Sequence, residues 1–188
     1  MIQGTKLLIT SFLVIILGLG FLWFGATPQK PSKPIPQVVE GTPEATTAAT
    51  YGIEGERVSV IEVIDGDTIK IEGNLTVRFL GIDTPETKDP RKSVQCFGKE
   101  ASNKLKALVE GKEVILQKDV SETDTYKRLL RYVFLPTEDE KLLFVNDYMI
   151  REGFARALTY PPDVKYTEQF LEAQKGAKEF KRGLWSKC

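Results

Sequence analysis

The sequence predicts an α+β fold that is mainly β, a five-stranded Greek-key barrel with three helices, preceded by an N-terminal transmembrane or signal segment. Three strand-like segments joined by tight turns open the predicted domain, and a segment with helical spacing follows the third. Two further strand candidates and two more helices come later in the chain. Five strands with a helix after the third fit a small barrel of the OB type better than a doubly wound sheet.

The first three strands form a predicted meander. They are residues 57–64, 68–71 and 75–80. In the first of them Val58, Val60 and Ile64 alternate with polar neighbours, as expected of a strand with one buried face. An Asp-Gly-Asp and a Glu-Gly-Asn sequence separate the three strands, and such sequences favour tight turns.

The later elements are predicted from a change of period and from glycine stops. The helices are residues 97–109, 145–152 and 166–180, and the remaining strands are residues 112–117 and 129–135. Gly111 and Gly153 end the first two helices. The last helix has an apolar stripe that we expect to be buried, made of Phe170, Ala173, Ala177 and Phe180.

The N-terminal region predicts export. Residues 7–26 are almost continuously apolar and follow Lys6, and about 20 such residues suffice to cross a bilayer as a helix. An uncleaved signal anchor over residues 1–26 is favoured over a cleaved signal peptide, whose apolar region is usually shorter. Residues 27–52 are rich in Pro, Thr and Ala and predict a semi-extended linker to a domain at 53–188. Either alternative places that domain on the extracellular side of the membrane or in secreted form.

Cysteine, histidine and charge counts narrow the chemistry. Cys96 and Cys188 are the two cysteines, and in an oxidising compartment they predict a disulfide, with two free thiols as the alternative. The chain has no histidine, which excludes an imidazole base or a Ser-His pair. Leaving out the three lysines and two glutamates before Tyr51, the chain has 23 basic and 24 acidic residues. Any contact with nucleic acid must therefore come from a local basic cluster and a bound metal.

Acidic residues and one arginine are concentrated between residues 65 and 86. The acids there are Asp65, Asp67, Asp83 and Glu86. Adjacent strand ends could bring Asp67 and Asp83 to one ion, with the backbone carbonyl of Thr84 as a third ligand. Oxygen ligands of this kind suit calcium or magnesium. The alternative for each aspartate alone is a turn residue that hydrogen-bonds its own backbone.

The arginines predict a phosphate ligand. Arg78 lies within an apolar strand, and its planar guanidinium can bind two phosphate oxygens at once if it faces a cleft. Arg128 or Arg131 could supply a second guanidinium from the start of a later strand. Glu86, just beyond Asp83, could take a proton from a water molecule, whereas a surface-loop position is the alternative.

Five segments in order resemble the staphylococcal nuclease (thermonuclease) family: DGDT, VRFLGIDTPET, GKEAS, DTYKRLLRYV and LWS. The resemblance covers residues 57–186 and implies an OB-type barrel with three helices and calcium-dependent hydrolysis of DNA and RNA. It implies that Asp67, Asp83 and the Thr84 carbonyl bind calcium. It further implies that Arg78 is the catalytic arginine, Glu86 the general base and Arg128, rather than Arg131, the second arginine.

The expected substrate contacts include two departures from the family pattern. Tyr126 resembles the family tyrosine that contacts the nucleotide, and Lys127 stands where the family commonly has glycine. Because lysine tolerates positive φ poorly, that substitution could alter the turn that directs Arg128. The family also has a later tyrosine pair. This chain has Thr159-Tyr160-Pro161 at that place, so only Tyr160 can correspond to a member of the pair. We expect Tyr126, Lys127 and Tyr160 to contact substrate.

The leading hypothesis is therefore a calcium-dependent extracellular nuclease that acts as a monomer and leaves 3′-phosphate ends. The alternative is a non-catalytic OB module, tethered to the membrane, that binds single-stranded nucleic acid. A displayed adhesion or scaffold domain ranks last because it leaves the clustered charges unexplained.

Overall fold

The computed structural model describes residues 52–88 and 93–188. The predicted signal anchor at 1–26 and the predicted linker, apart from Gly52, lie outside these residues. In the two described ranges, no helix has the length and apolar character needed to span a membrane.

Eight strands and four α-helices are present in the described ranges. In chain order they are β1 (Glu56–Asp65), β2 (Thr68–Ile71), β3 (Thr76–Phe79), β4 (Ile82–Asp83), α1 (Gly98–Val109), β5 (Glu113–Gln117), β6 (Leu129–Pro136), β7 (Leu142–Phe144), α2 (Val145–Arg151), β8 (Arg156–Ala157), α3 (Thr167–Glu179) and α4 (Leu184–Lys187). The five predicted strands correspond to β1, β2, β3, β5 and β6, and the three predicted helices to α1, α2 and α3. The short elements β4, β7, β8 and α4 were not predicted.

Five strands close into a barrel. Their order is β3-β2-β1-β5-β6, and β3 also pairs with β6, which joins the two ends of the sheet. This closing pair is parallel and runs from Val77 opposite Leu129 to Phe79 opposite Arg131, whereas the other barrel pairs are antiparallel. The predicted OB-type barrel is confirmed, and β7 lengthens the sheet beyond β6.

The long strand β1 bends and pairs with β5 at one end and with β2 at the other. Its first four residues pair with β5, and the rest pairs with β2 through register irregularities after Val60 and after Val63. A bulge changes which face successive side chains point to. Val58, Val60 and Val63 are consequently buried, and Ile64, which we expected in the apolar series, is only half-buried.

The predicted burial of Phe180 is wrong. Phe170, Ala173 and Ala177 are fully buried, but Phe180 is 68% exposed. The helix α3 ends at Glu179, so the helical spacing that would have put residue 180 on the buried face no longer applies. The guanidinium of Arg182 lies 5.5 Å from the centre of the Phe180 ring instead.

A buried amide holds the turn that follows β3. Asn146 of α2 is fully buried, donates a hydrogen bond to the Leu80 carbonyl (2.8 Å) and accepts one from the Val133 amide (2.9 Å). Beyond this turn, β4 pairs with β8, with Asp83 opposite Arg156. These contacts fix the backbone that carries Asp83 against the end of the barrel.

Candidate active site

The predicted acids and arginines line one cavity of about 620 Å³. It lies at the end of β1, the start of β2, one side of β3 and the end of β4, where the loop before β6 approaches them. The charged residues that line it are Asp65, Asp67, Arg78, Asp83, Glu86, Lys88 and Arg128. The structure therefore brings together the candidate metal ligands and the candidate catalytic residues, which come from separate segments of the chain.

Asp67 is the most firmly held acid of the cavity. It is 7% exposed, and its Oδ2 accepts hydrogen bonds from the backbone amide (3.0 Å) and the hydroxyl (2.9 Å) of Thr84. Its Oδ1 accepts one from the Thr68 hydroxyl at 2.9 Å. The preceding Gly66 is needed because a Cβ there would lie 2.8 Å from Thr84 Oγ1. Asp67 is thus oriented by the Thr68 hydroxyl and by Thr84, 17 positions along the chain, in contrast to a turn residue bonded to its own backbone.

Arg78 lies between two carboxylates. Its Nη2 is 3.2 Å from Asp67 Oδ2 and 3.6 Å from Asp83 Oδ1, and its Nη1 donates to the Phe79 carbonyl at 2.8 Å. The side chain is 17% exposed and faces the cavity rather than the barrel exterior. A guanidinium held in this way is oriented before any ligand arrives, which is what phosphate recognition through two parallel hydrogen bonds requires.

The ionised form of the Asp83 carboxyl is disfavoured in this cavity, and a bound cation would stabilise it. Burial and the negative charge of Asp67 raise the pKa of the Asp83 carboxyl, against the opposing positive charges of Arg78 and Arg156. In the described ranges, no group of three or more Asp, Glu, His or Cys side chains could hold a metal ion. A metal at this cavity would therefore use the two carboxylates, backbone carbonyls such as that of Thr84, and water, a ligand set that fits calcium.

Glu86 lies in a segment with its own hydrogen bonds. Its Oε1 accepts from the backbone amides of Thr87 (2.9 Å) and Lys88 (2.7 Å). Its backbone amide donates to Gln95 Oε1 (3.1 Å), and its carbonyl accepts from the Gln95 amide (2.9 Å). Glu86 thus lies at the cavity wall, where the sequence placed it, and Gln95 is a partner that the sequence did not reveal.

Asp65 has a supporting position beside Glu86. The Thr87 hydroxyl donates to its Oδ1 at 2.7 Å. Burial raises the pKa of the Asp65 carboxyl, and Glu86 and Asp67 raise it further, while hydrogen bonds from Thr87 and Gly66 act in the opposite direction. Asp65 therefore ties the segment after Glu86 to the end of β1.

A tight loop holds Arg128 at the cavity. The carboxylate of Asp124 accepts hydrogen bonds from Arg128 Nε (2.6 Å), from the Arg128 amide (3.0 Å) and from the Tyr126 amide (2.9 Å). Burial by itself would raise the pKa of the Asp124 carboxyl, but the hydrogen bonds and the charge of Arg128 lower it overall. Asp124 was not predicted as a site residue from the sequence. An aspartate four residues before an arginine in a turn-like segment was nevertheless a usable signal.

Lys127 and Tyr126 occupy different positions in that loop. Lys127 has a φ of +67°, so the turn keeps the left-handed residue for which glycine is better suited. Its side chain is exposed and lines neither this cavity nor the neighbouring one. Tyr126 is 79% exposed, lines the cavity, and has its ring centre 5.4 Å from the Arg128 guanidinium carbon.

Arg131 and Tyr160, the remaining candidate site residues, lie in different clefts. Arg131 donates hydrogen bonds to the Glu122 carbonyl (3.0 Å) and to its carboxylate, and it lines a different surface cleft. Tyr160, 68% exposed, lines a second cavity of about 340 Å³ that shares Arg78 and Arg128 with the first. Tyr160 thus lies at a cavity that Arg78 and Arg128 also line, whereas Arg131 lines a separate cleft.

The two cysteines are joined. A disulfide connects Cys96, just before α1, to Cys188 at the end of the chain, with the Cα atoms 5.9 Å apart. In the described part of the chain there is no free cysteine. The bridge encloses a separation of 92 residues and lies next to Gln95, the partner of Glu86.

The barrel and its acid–arginine cavity define an OB-type enzyme that acts on phosphodiesters. Residues 76–187 match the family described as "Staphylococcal nuclease homologue", and the chain belongs to this family, which confirms the resemblance found in the sequence. It is accordingly an endonuclease that hydrolyses phosphodiester bonds.

Individual relatives agree with this assignment. The chain is 42% identical over 130 residues to the thermonuclease of Staphylococcus hyicus, a match that covers 68% of this chain and 74% of that protein. It is 40% identical over 138 residues to the thermonuclease of Staphylococcus intermedius, covering 72% and 79%. It is also 42% identical over 135 residues to the SPbeta prophage-derived endonuclease YokF of Bacillus subtilis, covering 69% of this chain but 44% of that protein.

Proposed function

We propose that the protein is a calcium-dependent extracellular nuclease that hydrolyses both DNA and RNA and leaves 3′-phosphate ends. The observation that carries the proposal is the convergence of Arg78 and Arg128 with Asp67, Asp83 and Glu86 on one cavity. Two guanidinium groups beside two carboxylates suit a phosphate and a divalent cation together, since the phosphate neutralises the guanidinium groups and the cation neutralises the carboxylates.

In this proposal Arg78 and Arg128 bind the non-bridging oxygens of the scissile phosphate and stabilise the negative charge that accumulates on them during attack. Glu86 accepts a proton from a water molecule as the water oxygen bonds to phosphorus. The bond from phosphorus to the 5′-oxygen breaks, and that oxygen takes a proton from solvent. A calcium ion held by Asp67, Asp83 and the Thr84 carbonyl would supply further positive charge to the phosphate.

Exposed side chains around the cavity provide the contacts for bases and neighbouring phosphates. Tyr126 lines the first cavity and Tyr160 the second, and both cavities are also lined by Arg78 and Arg128. Base stacking on such exposed aromatic rings is largely independent of sequence. Lys127, which lies on the loop surface between Tyr126 and Arg128, would contact a phosphate away from the cavity. This arrangement supports a substrate range that includes both DNA and RNA.

The extracellular location rests on two features. The Cys96–Cys188 disulfide is of the kind that persists in an oxidising compartment. The apolar segment at residues 7–26 would export the domain and, if uncleaved, hold it at the outer face of the membrane. We propose that the enzyme acts there as a monomer.

The test is cleavage of single-stranded DNA, duplex DNA and RNA by the full chain, with calcium and then with a calcium chelator. Asp67→Ala should abolish cleavage, and Glu86→Gln should lower turnover by about 10²-fold or more while nucleotide binding survives. Asp139→Asn is the matched control, because Asp139 is an exposed carboxylate paired with Lys141 and does not line the cavity. Binding without cleavage in every metal tested would favour the non-catalytic single-strand-binding module instead.

A further inference from the structure

We propose that Gln95 and the Cys96–Cys188 disulfide position Glu86 for catalysis, so that reducing the disulfide lowers turnover and leaves substrate binding intact. This inference rests on the proposed function, because it takes Glu86 as the general base. It assigns to the disulfide a role in the reaction in addition to its effect on stability.

Gln95 holds the backbone of Glu86 from both sides. The Glu86 amide donates to the side-chain oxygen of Gln95 at 3.1 Å, and the Gln95 amide donates to the Glu86 carbonyl at 2.9 Å. These two reciprocal bonds hold Glu86 and Gln95 side by side. A displacement of Gln95 therefore moves the backbone from which the Glu86 carboxylate projects.

The start of α1 packs directly on the same segment. The Gly98 amide donates to the Gln95 carbonyl at 3.0 Å, and Gly98 itself is buried. A Cβ at Gly98 would lie 2.8 Å from both the Pro85 carbonyl oxygen and Thr87 Cγ2. Residues 85–87 and the first turn of α1 are thus in van der Waals contact, so neither can shift alone.

The disulfide is the covalent link between this packed unit and the C-terminal helix. Cys96 is bonded to Cys188, the last residue, which follows α4. The helix α4 is held in turn by buried Leu184, whose amide donates to the Gly153 carbonyl at 2.9 Å. The path from Glu86 through Gln95 and Cys96 therefore ends on the segment after α2, which belongs to the body of the domain.

A strained residue lies next to the bridge. Phe97 has a φ of +67°, a conformation that residues with a side chain rarely adopt, and its ring stacks on Phe154 at 5.5 Å. Such a conformation persists when its surroundings restrain it on both sides. The stack restrains Phe97 by its side chain and the disulfide restrains the preceding residue, so loss of the bridge removes one of the two restraints.

Reduction should therefore change turnover and leave binding unaltered. A dithiol such as dithiothreitol supplies two electrons and two protons, becomes a cyclic disulfide, and leaves Cys96 and Cys188 as thiols. The two arginines that would bind the phosphate are held by other parts of the fold, Arg78 by the Phe79 carbonyl of β3 and Arg128 by Asp124. A general base displaced by about 1 Å loses roughly 10- to 100-fold in rate, so we expect a fall of that size in kcat with KM nearly constant.

The test compares the full chain in oxidised and dithiothreitol-treated form, at a temperature well below both unfolding transitions. A Cys96→Ser/Cys188→Ser variant should have the low kcat of the reduced protein and should not respond to dithiothreitol. Gln95→Leu should also lower kcat, whereas Gln95→Glu, which keeps an acceptor oxygen, should restore most of it. Val114→Ala in the core of β5 is the control for lost stability, because Val114 is buried and does not line the cavity.

A second measurement does not depend on activity. Hydrogen exchange at the Glu86 and Gln95 amides should be slow in the oxidised chain and at least tenfold faster after reduction. Equal kcat in both redox states, unchanged exchange at these amides, or a kcat loss in Val114→Ala as large as in the cysteine variant would each overturn the positioning role. An oxidised chain that cuts no substrate would refute the nuclease function itself, and with it the catalytic meaning of Glu86.

Discussion

Replacing Lys127 by glycine tests whether the left-handed backbone conformation of Lys127, in the loop before β6, lowers the stability of the domain. Lys127 has a φ of +67°, and the turn is closed by hydrogen bonds between Asp124 and Arg128. A left-handed conformation costs a residue with a side chain about 1–2 kcal/mol. Glycine relieves that cost but gives up about 0.5–1 kcal/mol through the greater freedom of the unfolded chain. The net gain in the free energy of unfolding should be about 0.5–1 kcal/mol.

The assay is thermal or urea unfolding of the wild-type protein and the Lys127→Gly variant at equal calcium. A gain of this size raises Tm by about 2–4 °C in a domain of this length. Lys127→Ala is the matched control, since it removes the charge but keeps the backbone cost, and its Tm should not rise. If Lys127 contacts a substrate phosphate, both variants should raise KM equally, and the salt dependence of KM should decrease.

Two results would refute this reasoning. An equal or lower Tm for Lys127→Gly would mean that the turn does not strain Lys127. A fall in kcat of more than tenfold in Lys127→Gly, at unchanged stability, would mean that the turn needs lysine to direct Arg128.

Three other predictions concern the same domain. Asp124→Ala should raise KM and lower kcat about tenfold, because it releases Arg128 and leaves two loop amides without an acceptor; steady-state kinetics that match the wild type would contradict this. Cys188→Ser should lower the stability by about 2–4 kcal/mol in urea unfolding under oxidising conditions only, and an equal loss in reductant would argue against the bridge as the cause. Calcium affinity, measured by titration calorimetry, should fall as the pH decreases through the raised pKa of Asp83, and therefore at a higher pH than for an exposed aspartate; Asp83→Asn should bind weakly without this pH dependence.

The sequence predicted the barrel well because its strands are long enough to show a period. Each of the five barrel strands has at least four residues and either alternates or contains a run of at least three apolar residues, which distinguishes it from a turn. The strands β4 and β8 have two residues each, and no period can be recognised in two residues. The position of the Val63 side chain was also unpredictable, since it depends on bulges set by pairing with β2.

The charged residues of the candidate site could be predicted from the sequence, whereas the residues that hold them in position were not predicted. The acids and Arg78 are concentrated within 22 residues, and such a concentration is visible without any structure. Asp124 and Gln95 act by holding Arg128 and Glu86, through bonds that depend on the loop geometry. Asp124 had a signal in the sequence, its position four residues before an arginine in a turn-like segment. Neither the residue type nor the spacing of Gln95 singles it out.

The parallel pairing of β3 with β6 has a consequence for when the enzyme becomes active. Arg78 lies on β3, and Arg128 immediately precedes β6, so the two guanidinium groups are neighbours in space only after residues about 50 positions apart have paired. Contacts of such long range form late, because the entropy of closing the intervening chain must first be overcome. A chain that has formed its meander but not its closing pair holds the acids without the second arginine. Catalysis therefore begins with the completed barrel, and partly folded forms of the enzyme would leave nucleic acid uncut during synthesis.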